Sequence, residues 1–294
     1  MKKLGMVIIN YNDYETTEIL LNNIKEYDSL DSIVIVDNHS TDDSYKLLKK
    51  YENDKIVVLE ASENKGYAAG LNLGARYLND KYKDCNIIFS NSDVIINKSS
   101  DLKKLSDDIS GDIAVVGPVI VEGKKISRGW RMPTINDEIK FNLPLISRKY
   151  RKEIMYSGDN KALHLVDVVS GCIFCVSGKA LKEVGYFDEN TFLYYEEQIL
   201  SKKMEKIHKL VSVDEDVVVV HNHSVTIDKN IKRIGKYKMQ KESQEYFVKN
   251  YLNASNRDLR RLKFTKNLSL YILYIRCFFS GLFKNNWLNL KCCL

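Results

Sequence analysis

Two short apolar runs that each stop at a carboxylate constrain this chain more than any other feature. Ser32-Ile-Val-Ile-Val-Asp37 is β-branched through its middle and ends in the turn-rich Asn38-His-Ser-Thr-Asp-Asp43. Asn86-Ile-Ile-Phe-Ser90 stops in the same way, at Asn91-Ser92-Asp93. Near-continuous apolar runs of this length read as strands buried on both faces of a parallel sheet. In an open parallel sheet, ligands sit beyond the carboxyl ends of the strands, so two acidic strand ends point to one site. A carboxylate there can hydrogen-bond a base or a ribose, and one near phosphates can hold a divalent metal. The pair therefore suggests a nucleotide bound through a metal.

The surrounding pattern supports such a sheet. Leu4–Ile9, Lys55–Leu59 and Ala114–Val121 also read as strands. Helical spacing occupies Thr16–Tyr27 (with Asp13 or Thr16 as cap), the stretch from Ser40 or Thr41 to about Tyr51, Gly66–Leu78 and Asp101–Ser110. Strand alternating with helix is the signature of an α/β, Rossmann-like, doubly wound and mostly parallel sheet. Residues 124–165 read as an irregular insertion that shapes a substrate pocket. Val166–Val176 is apolar again, a helix follows at Lys179–Val184, and a strand at Val217–Val220 runs into His221-Asn222-His223. The expected division is a catalytic domain over 1–228 and a helical, basic and aromatic extension over 229–294.

The 294 residues, 44% hydrophobic and 29% charged, suit a soluble globular chain. The net charge of +6 lies largely after Lys229, so it describes the C-terminal part, and nucleic acid is not an expected partner. Cys172 and Cys175 form a C-x-x-C inside an apolar run with no second pair at zinc-ribbon spacing, which reads as buried structural thiols. The first apolar run is too short for a signal peptide, and a reduced cytoplasmic setting is expected.

Five groups of residues carry candidate chemistry, each beside a plainer alternative. Asp37 is either a base or ribose ligand or a turn residue. Gly66, Gly70 and Gly74 share one helix face. Gly66 is expected to serve the site and Gly74 to serve packing, and the spacing is not the dinucleotide fingerprint. Asn91-Ser92-Asp93 offers hard oxygen ligands or an Asx turn. Glu196-Glu197, flanked by Phe192, Leu193, Tyr194 and Tyr195, offers a desolvated carboxylate with its pKa raised toward that of a general base, or an ordinary helix start. His221 and His223 leave a strand on the same face and suit a metal or a phosphate.

In this order the motifs resemble the family 2 inverting glycosyltransferases of GT-A fold, particularly rhamnosyltransferase-like members. The resemblance rests on Val7-Ile-Ile-Asn-Tyr-Asn12, Ile35-Val-Asp-Asn-His-Ser-Thr-Asp42, Asn64-Lys-Gly-Tyr-Ala-Ala-Gly-Leu-Asn72, Asn91-Ser-Asp93, Gly185-Tyr-Phe-Asp-Glu189, Phe192-Leu-Tyr-Tyr-Glu-Glu197 and His221. It implies that Asn10, Tyr11 and Asn12 border the nucleotide, that Asp37 binds the base, and that Asn64 and Gly66 border the nucleotide-sugar. It implies that Asp93 binds Mn²⁺ or Mg²⁺ with Asn91 opening the motif, that Glu197 deprotonates the acceptor, and that His221 supports the metal or diphosphate. The chain departs from the family in Ser92, where Pro is frequent. It departs again in Glu196-Glu197-Gln198-Ile199, where the family places Glu-Asp and a further Asp, so the base lies between Glu196 and Glu197.

The expected donor is a nucleotide-diphosphate sugar, dTDP-rhamnose or a UDP-hexose. The expected acceptor is a hydroxyl of a glycan or lipid-linked glycan in bacterial cell-surface polysaccharide synthesis. Arg257, Arg260, Arg261, Lys263 and Lys266 precede a broken apolar stretch that ends near Trp287, which suits the inner face of a plasma membrane or a helix packed on another subunit. A homodimer stays open. The competing readings are a catalytically impaired nucleotide-sugar-binding or scaffold protein and a nucleotidyltransferase. The latter needs a glycine-rich basic loop where this chain has Asn10-Tyr-Asn-Asp13.

Overall fold

A computed structural model describes residues 2–144, 146–157, 162–222 and 233–284, with side chains described only to residue 276. Contacts divide the chain into two units, residues 1–132 with 154–231, and residues 133–153 with 232–294.

The larger unit is built on one sheet. Its strands are β1 (Lys3–Asn10), β2 (Ser32–Asp37), β3 (Ile56–Glu60), β4 (Cys85–Ser90), β5 (Val94–Ile95), β6 (Ile113–Glu122), β7 (Lys125–Ser127), β8 (Leu163–Val166), β9 (Ile173–Ser177) and β10 (Leu210–His221). The order is β3-β2-β1-β4-β9-β6-β10-β5, with β7 on β6 and β8 on β10. The half from β3 to β4 is parallel, as the alternating pattern predicts. The other half is mixed: β9 runs antiparallel to β4 and β6, and β5 and β8 run antiparallel to β10. Only β7, which follows β6 through a tight turn, is a hairpin; the other antiparallel pairs join strands that are not consecutive in the chain.

Strand alternation sends Met6, Ile8, Ile33 and Ile35 to one face, against Leu20, Leu21 and Ile24 of α1 (Tyr14–Ile24), Leu48 of α2 (Ser44–Leu48), and Leu102 and Leu105 of α4 (Ser99–Asp107). Val7, Val34 and Val36 face the other way, against Leu71, Ala75 and Leu78 of α3 (Tyr67–Lys81). The helix α7 (Gly178–Glu183) and α8 (Glu196–Lys206) add Leu181, Leu200 and Met204 to that second core. Gly74 serves packing as expected, since a Cβ there would lie 2.5 Å from Val7 Cγ1.

Two expectations are corrected. Ser40 and Thr41 do not cap α2; Asp43 holds the N-cap position, and both hydroxyl residues turn back toward β1. Residues 124–165 are not irregular. They hold β7, β8 and the helices α5 (Ile135–Phe141) and α6 (Ser147–Glu153). Thr134 and Asp137 close a capping box at the start of α5, a signal legible in Thr134-Ile-Asn-Asp137.

In the smaller unit, α5 and α6 join two helices, Arg233–Tyr251 and Asn256–Lys284. Ile139, Phe141, Phe247, Val248, Leu262 and Leu273 are buried in it, and Gln244 donates to both Glu138 Oε2 (2.6 Å) and the Glu138 carbonyl (3.1 Å).

Candidate active site

The site lies where the strand order reverses. Chain order runs outward from β1 through β2 and β3, then returns to place β4 on the other side of β1. Crevices open at such switch points, beyond the carboxyl ends of the strands.

Asn10 and Asp37 are register partners at the ends of β1 and β2. Asn10 Nδ2 donates to Asp37 Oδ2 at 2.7 Å, and Thr17 Oγ1 donates to Asn10 Oδ1 at 2.9 Å. Asp37 is 0% exposed, and Ser40 donates to it twice, from its amide (2.8 Å) and its hydroxyl (2.7 Å). Three of a carboxylate's roughly four acceptor positions are therefore taken within the protein. Asn12, in the left-handed region at φ 51°, receives its share of the same loop: its amide donates to Ser40 Oγ and its Oδ1 accepts from the Thr41 amide at 2.7 Å. Asp37 thus holds the 38–41 turn against the β1 loop. Tyr11 lies half-buried between Asn10 and Asn12.

Asn64 and Gly66 belong to a second loop tied to the first. Asn38 Nδ2 donates to Asn64 Oδ1 (3.0 Å) and to the Gly66 carbonyl (3.1 Å), and Asn64 Oδ1 also accepts from the Gly66 amide. Gly66 has φ 100°, and a Cβ on it would lie 2.3 Å from the Phe192 carbonyl oxygen. The close approach that requires glycine here is to the Phe192 backbone. The next residue confirms the contact: the Tyr67 amide donates to the Phe192 carbonyl at 2.8 Å.

Tyr67, not singled out in the sequence, links the loops to the acidic groups. Its hydroxyl donates to Asn91 Oδ1 at 2.7 Å, and the Asn91 amide donates to the Cys172 carbonyl at 2.8 Å. Burial, followed by the negative fields of Glu196, Glu197, Cys172 and Asp93, pushes the Tyr67 phenol well above its ordinary pKa and keeps it a donor. Burial pushes the Cys172 thiol up to about 12, with Asp93 and Glu197 adding to it, and that of Cys175 higher still. Cys85, Cys172 and Cys175 are buried free thiols.

Asp93 and His221 meet although 128 residues separate them; His221 Nε2 lies 3.1 Å from Asp93 Oδ1. The pairing of β5 with β10 brings them together, with Val94 opposite His221 and the Asn222 amide donating to the Asp93 carbonyl at 2.9 Å. Both side chains are largely buried. A carboxylate beside an imidazole suits a divalent ion such as Mn²⁺. Among the described residues no cluster of three His, Cys, Asp or Glu side chains surrounds them. One carboxylate and one imidazole are a donor set that Mg²⁺ or Mn²⁺ can share with water and substrate phosphates. His223 lies outside the described residues.

Glu196 and Glu197 open α8 after two residues in the left-handed region, Tyr194 (φ 76°) and Tyr195 (φ 75°). Such backbone strain gathers at functional sites. Glu196 is 6% exposed, and its Oε1 has no hydrogen-bond partner among the described residues. Burial, reinforced by the charge of Glu197, pushes the Glu196 carboxyl up to about 8. Glu197 is less buried and is raised by burial too, against hydrogen bonds from its own amide and that of Gly171. A Cβ on Gly171 would lie 1.7 Å from Glu197 Oε1, so the glycine forms the notch that receives the carboxylate. Sequence reasoning missed Gly171; its signal was a glycine opening the apolar run of β9.

The Gly185–Glu189 motif is an anchor. Asn72 of α3 donates to the Phe187 carbonyl (3.0 Å) and Glu189 Oε1 (2.7 Å) and accepts from the Phe187 amide (2.9 Å). Asn72 is two residues from both Gly70 and Gly74, so it leaves α3 on the side away from the glycine face.

The architecture and the site define a GT-A-like glycosyltransferase. Residues 6–178 match the family model "Glycosyl transferase family 2", and the chain belongs to that family. It is 25% identical over 224 residues to the low-salt glycan biosynthesis hexosyltransferase Agl10 of Haloferax volcanii, covering 76% of this chain and 68% of that protein. It is 25% identical over 161 residues to a UDP-N-acetylglucosamine–dolichyl-phosphate N-acetylglucosaminyltransferase of Methanococcus voltae, covering 50% of this chain and 58% of that one. In fold it resembles the mannosyltransferase PcManGT of Pyrobaculum calidifontis, solved with GDP-Man and Mn²⁺ (TM-score 0.58, 15% identity, 91% of this chain and 72% of that one). It also resembles TarS of S. aureus with UDP-GlcNAc (TM-score 0.54, 17% identity, 88% and 70%).

Proposed function

We propose that this glycosyltransferase moves a hexosyl group from a nucleotide-diphosphate sugar to a hydroxyl of a glycan or lipid-linked acceptor, with inversion and with a divalent metal. The observation that carries the reading is Glu197 in its Gly171 notch, with the buried Tyr67 lying in the fields of Glu196, Glu197 and Asp93. Glu197 takes the acceptor proton as the hydroxyl attacks the anomeric carbon from the face opposite the leaving diphosphate, which inverts that carbon in one displacement. Asp93 and His221 would hold Mn²⁺ or Mg²⁺. The ion, when bound, supplies charge neutralisation to the diphosphate. Glu196 stays protonated near neutral pH, which relieves repulsion and leaves Glu197 the ionised member of the pair. Asn10, Tyr11, Asn12, Asn64, Gly66 and Asn91 border the donor, and Asp37 acts by setting the loop that contacts it.

The relatives named above are hexosyl and N-acetylglucosaminyl transferases, which supports a nucleotide-diphosphate hexose over dTDP-rhamnose as donor, and the UDP in one relative's name favours UDP. The dolichyl phosphate in one relative's name supports a lipid-linked acceptor, and with it a place at the cytoplasmic face of a membrane. The test is a thermal-shift panel of UDP-, GDP- and dTDP-sugars with and without Mn²⁺, followed by a transfer assay with the donor that stabilises the protein most. A donor that binds but is neither transferred nor slowly hydrolysed would return the chain to the binding-protein reading.

A further inference from the structure

The outward face of the C-terminal helix Asn256–Lys284 carries an apolar stripe that the described residues leave open. Phe264 (70% exposed), Leu268 (39%), Tyr271 (65%) and Ile275 (38%) follow one another at spacings of four, three and four residues. At 3.6 residues per turn they fall within about 60° of arc, along roughly 16 Å of helix. The opposite face is already used: Leu262, Thr265, Ser269 and Leu273 are buried. The helix is thus amphipathic in a second sense, with its inner face packed and its outer face apolar.

The charge along the same face identifies the occupant. Arg257, Arg260 and Arg261 are exposed in the turns just before Phe264, within about 60° of it around the helix, and Lys263 flanks the stripe. Asp258 is the sole acidic residue of the helix. A second copy docking in parallel would bring these cations near their equivalents, and one docking antiparallel would set them against the other helix's far end, which has no acidic residue, so neither supplies complementary charge. A surface of anionic lipid offers the complementary charge over its whole area, and exposed Phe and Tyr beside Arg and Lys suit the headgroup boundary. Among the described residues no helix is long and apolar enough to cross a bilayer, and a helix with one packed and one apolar face suits lying on the surface.

We propose that the face defined by Phe264, Leu268, Tyr271 and Ile275, with the cations at its N-terminal end, seats the protein on an anionic membrane surface. The proposal rests on this helix and is independent of the transfer reaction. The test is co-sedimentation of the full-length protein with vesicles of phosphatidylcholine alone, or with about a third phosphatidylglycerol, at several salt concentrations. Binding is expected to the anionic vesicles alone, and to weaken as salt rises. Each cation near an anionic surface is worth roughly fivefold in affinity, so Arg257→Gln with Arg260→Gln and Lys263→Gln should weaken binding on the order of 100-fold. Phe264→Ser with Tyr271→Ser should abolish it while melting temperature and nucleotide-sugar binding stay at the parent's values. Should the apolar variant unfold, the cation variant and the salt titration of the parent still decide. Equal binding to neutral vesicles, or unchanged binding by the cation variant, would overturn the proposal. So would a dimer in analytical ultracentrifugation that depends on Phe264 and Tyr271 in a protein that ignores vesicles.

Discussion

Glu197 Oε1 occupies the space that any side chain on residue 171 would need: a Cβ built on Gly171 falls 1.7 Å from it. The carboxylate is held by backbone on one side and by the first turn of its own helix on the other. Gly171→Ala should therefore dislodge Glu197 without removing a polar group. Turnover is expected to fall by at least about 10²-fold, toward the value of general-base assistance. Donor affinity by calorimetry should hold. Parent-like turnover in Gly171→Ala would remove Glu197 from the role of base.

The two adjacent glutamates should separate kinetically. Glu197→Gln keeps size and loses proton acceptance, so the chemical step should slow by about 10²–10⁴-fold at unchanged donor affinity. Glu196→Gln replaces a carboxyl that is already neutral near pH 7 and should change turnover less than about tenfold. The reverse order would make Glu196 the base.

Glu196 also predicts a pH dependence of stability. Its carboxyl is raised by burial, and by the charge of Glu197, from 4.5 to about 8. A carboxyl raised on folding favours the folded state fully below its unfolded pKa, and that contribution is lost as pH rises through the folded value. Glu196→Gln is neutral at every pH. Its melting temperature relative to the parent's should therefore climb between pH 4.5 and 8, by at least about 2 °C. A difference between the two proteins that stays flat across this window would mean that Glu196 ionises normally.

Asp93 and His221 predict a linkage between metal and donor. Asp93→Ala should abolish transfer, weaken nucleotide-diphosphate binding and make that binding indifferent to Mn²⁺. His221→Ala should weaken the metal effect about 10-fold or more, in the range for loss of one ligating or supporting group. Calorimetry with and without Mn²⁺ reads both, and an undiminished metal effect in Asp93→Ala would sink the assignment.

Asp37 predicts an effect through its loop. Asp37→Asn sets an amide donor against one of its present donors, the Ser40 amide or hydroxyl or Asn10 Nδ2. Leaving a buried donor unmatched costs about 1–3 kcal/mol. Donor affinity should therefore fall together with melting temperature, and Ser40→Ala should reproduce part of both losses. A variant with weakened donor binding and unchanged stability would instead favour direct contact with the base.

Much of the parallel half was legible in the chain. Met6, Ile8, Ile33 and Ile35 alternate with Val7, Val34 and Val36, and burial on both faces selects such β-branched runs whatever surrounds them. The strand-end residues Asn10, Asp37, Asn91 and Asp93 were legible for the same reason, because a sheet of this kind fixes where its carboxyl ends lie. The helices α5 and α6 were not. The capping box of Thr134 and Asp137 marks only where α5 begins, and Ile135–Phe141 and Ser147–Glu153 each span about two turns, too short for helical periodicity to show.

The sequence by itself determined which residues end strands, which face of α3 must be small, and that two carboxylates stand together at Glu196 and Glu197. Only the tertiary structure decided their partners. It seated Asp93 against His221 through the β5–β10 pairing, gave Gly66 to the Phe192 backbone, and opened the Gly171 notch that distinguishes Glu197 from Glu196. These are contacts between residues distant in the chain, and local periodicity records burial and direction but not which distant segment will fill the space.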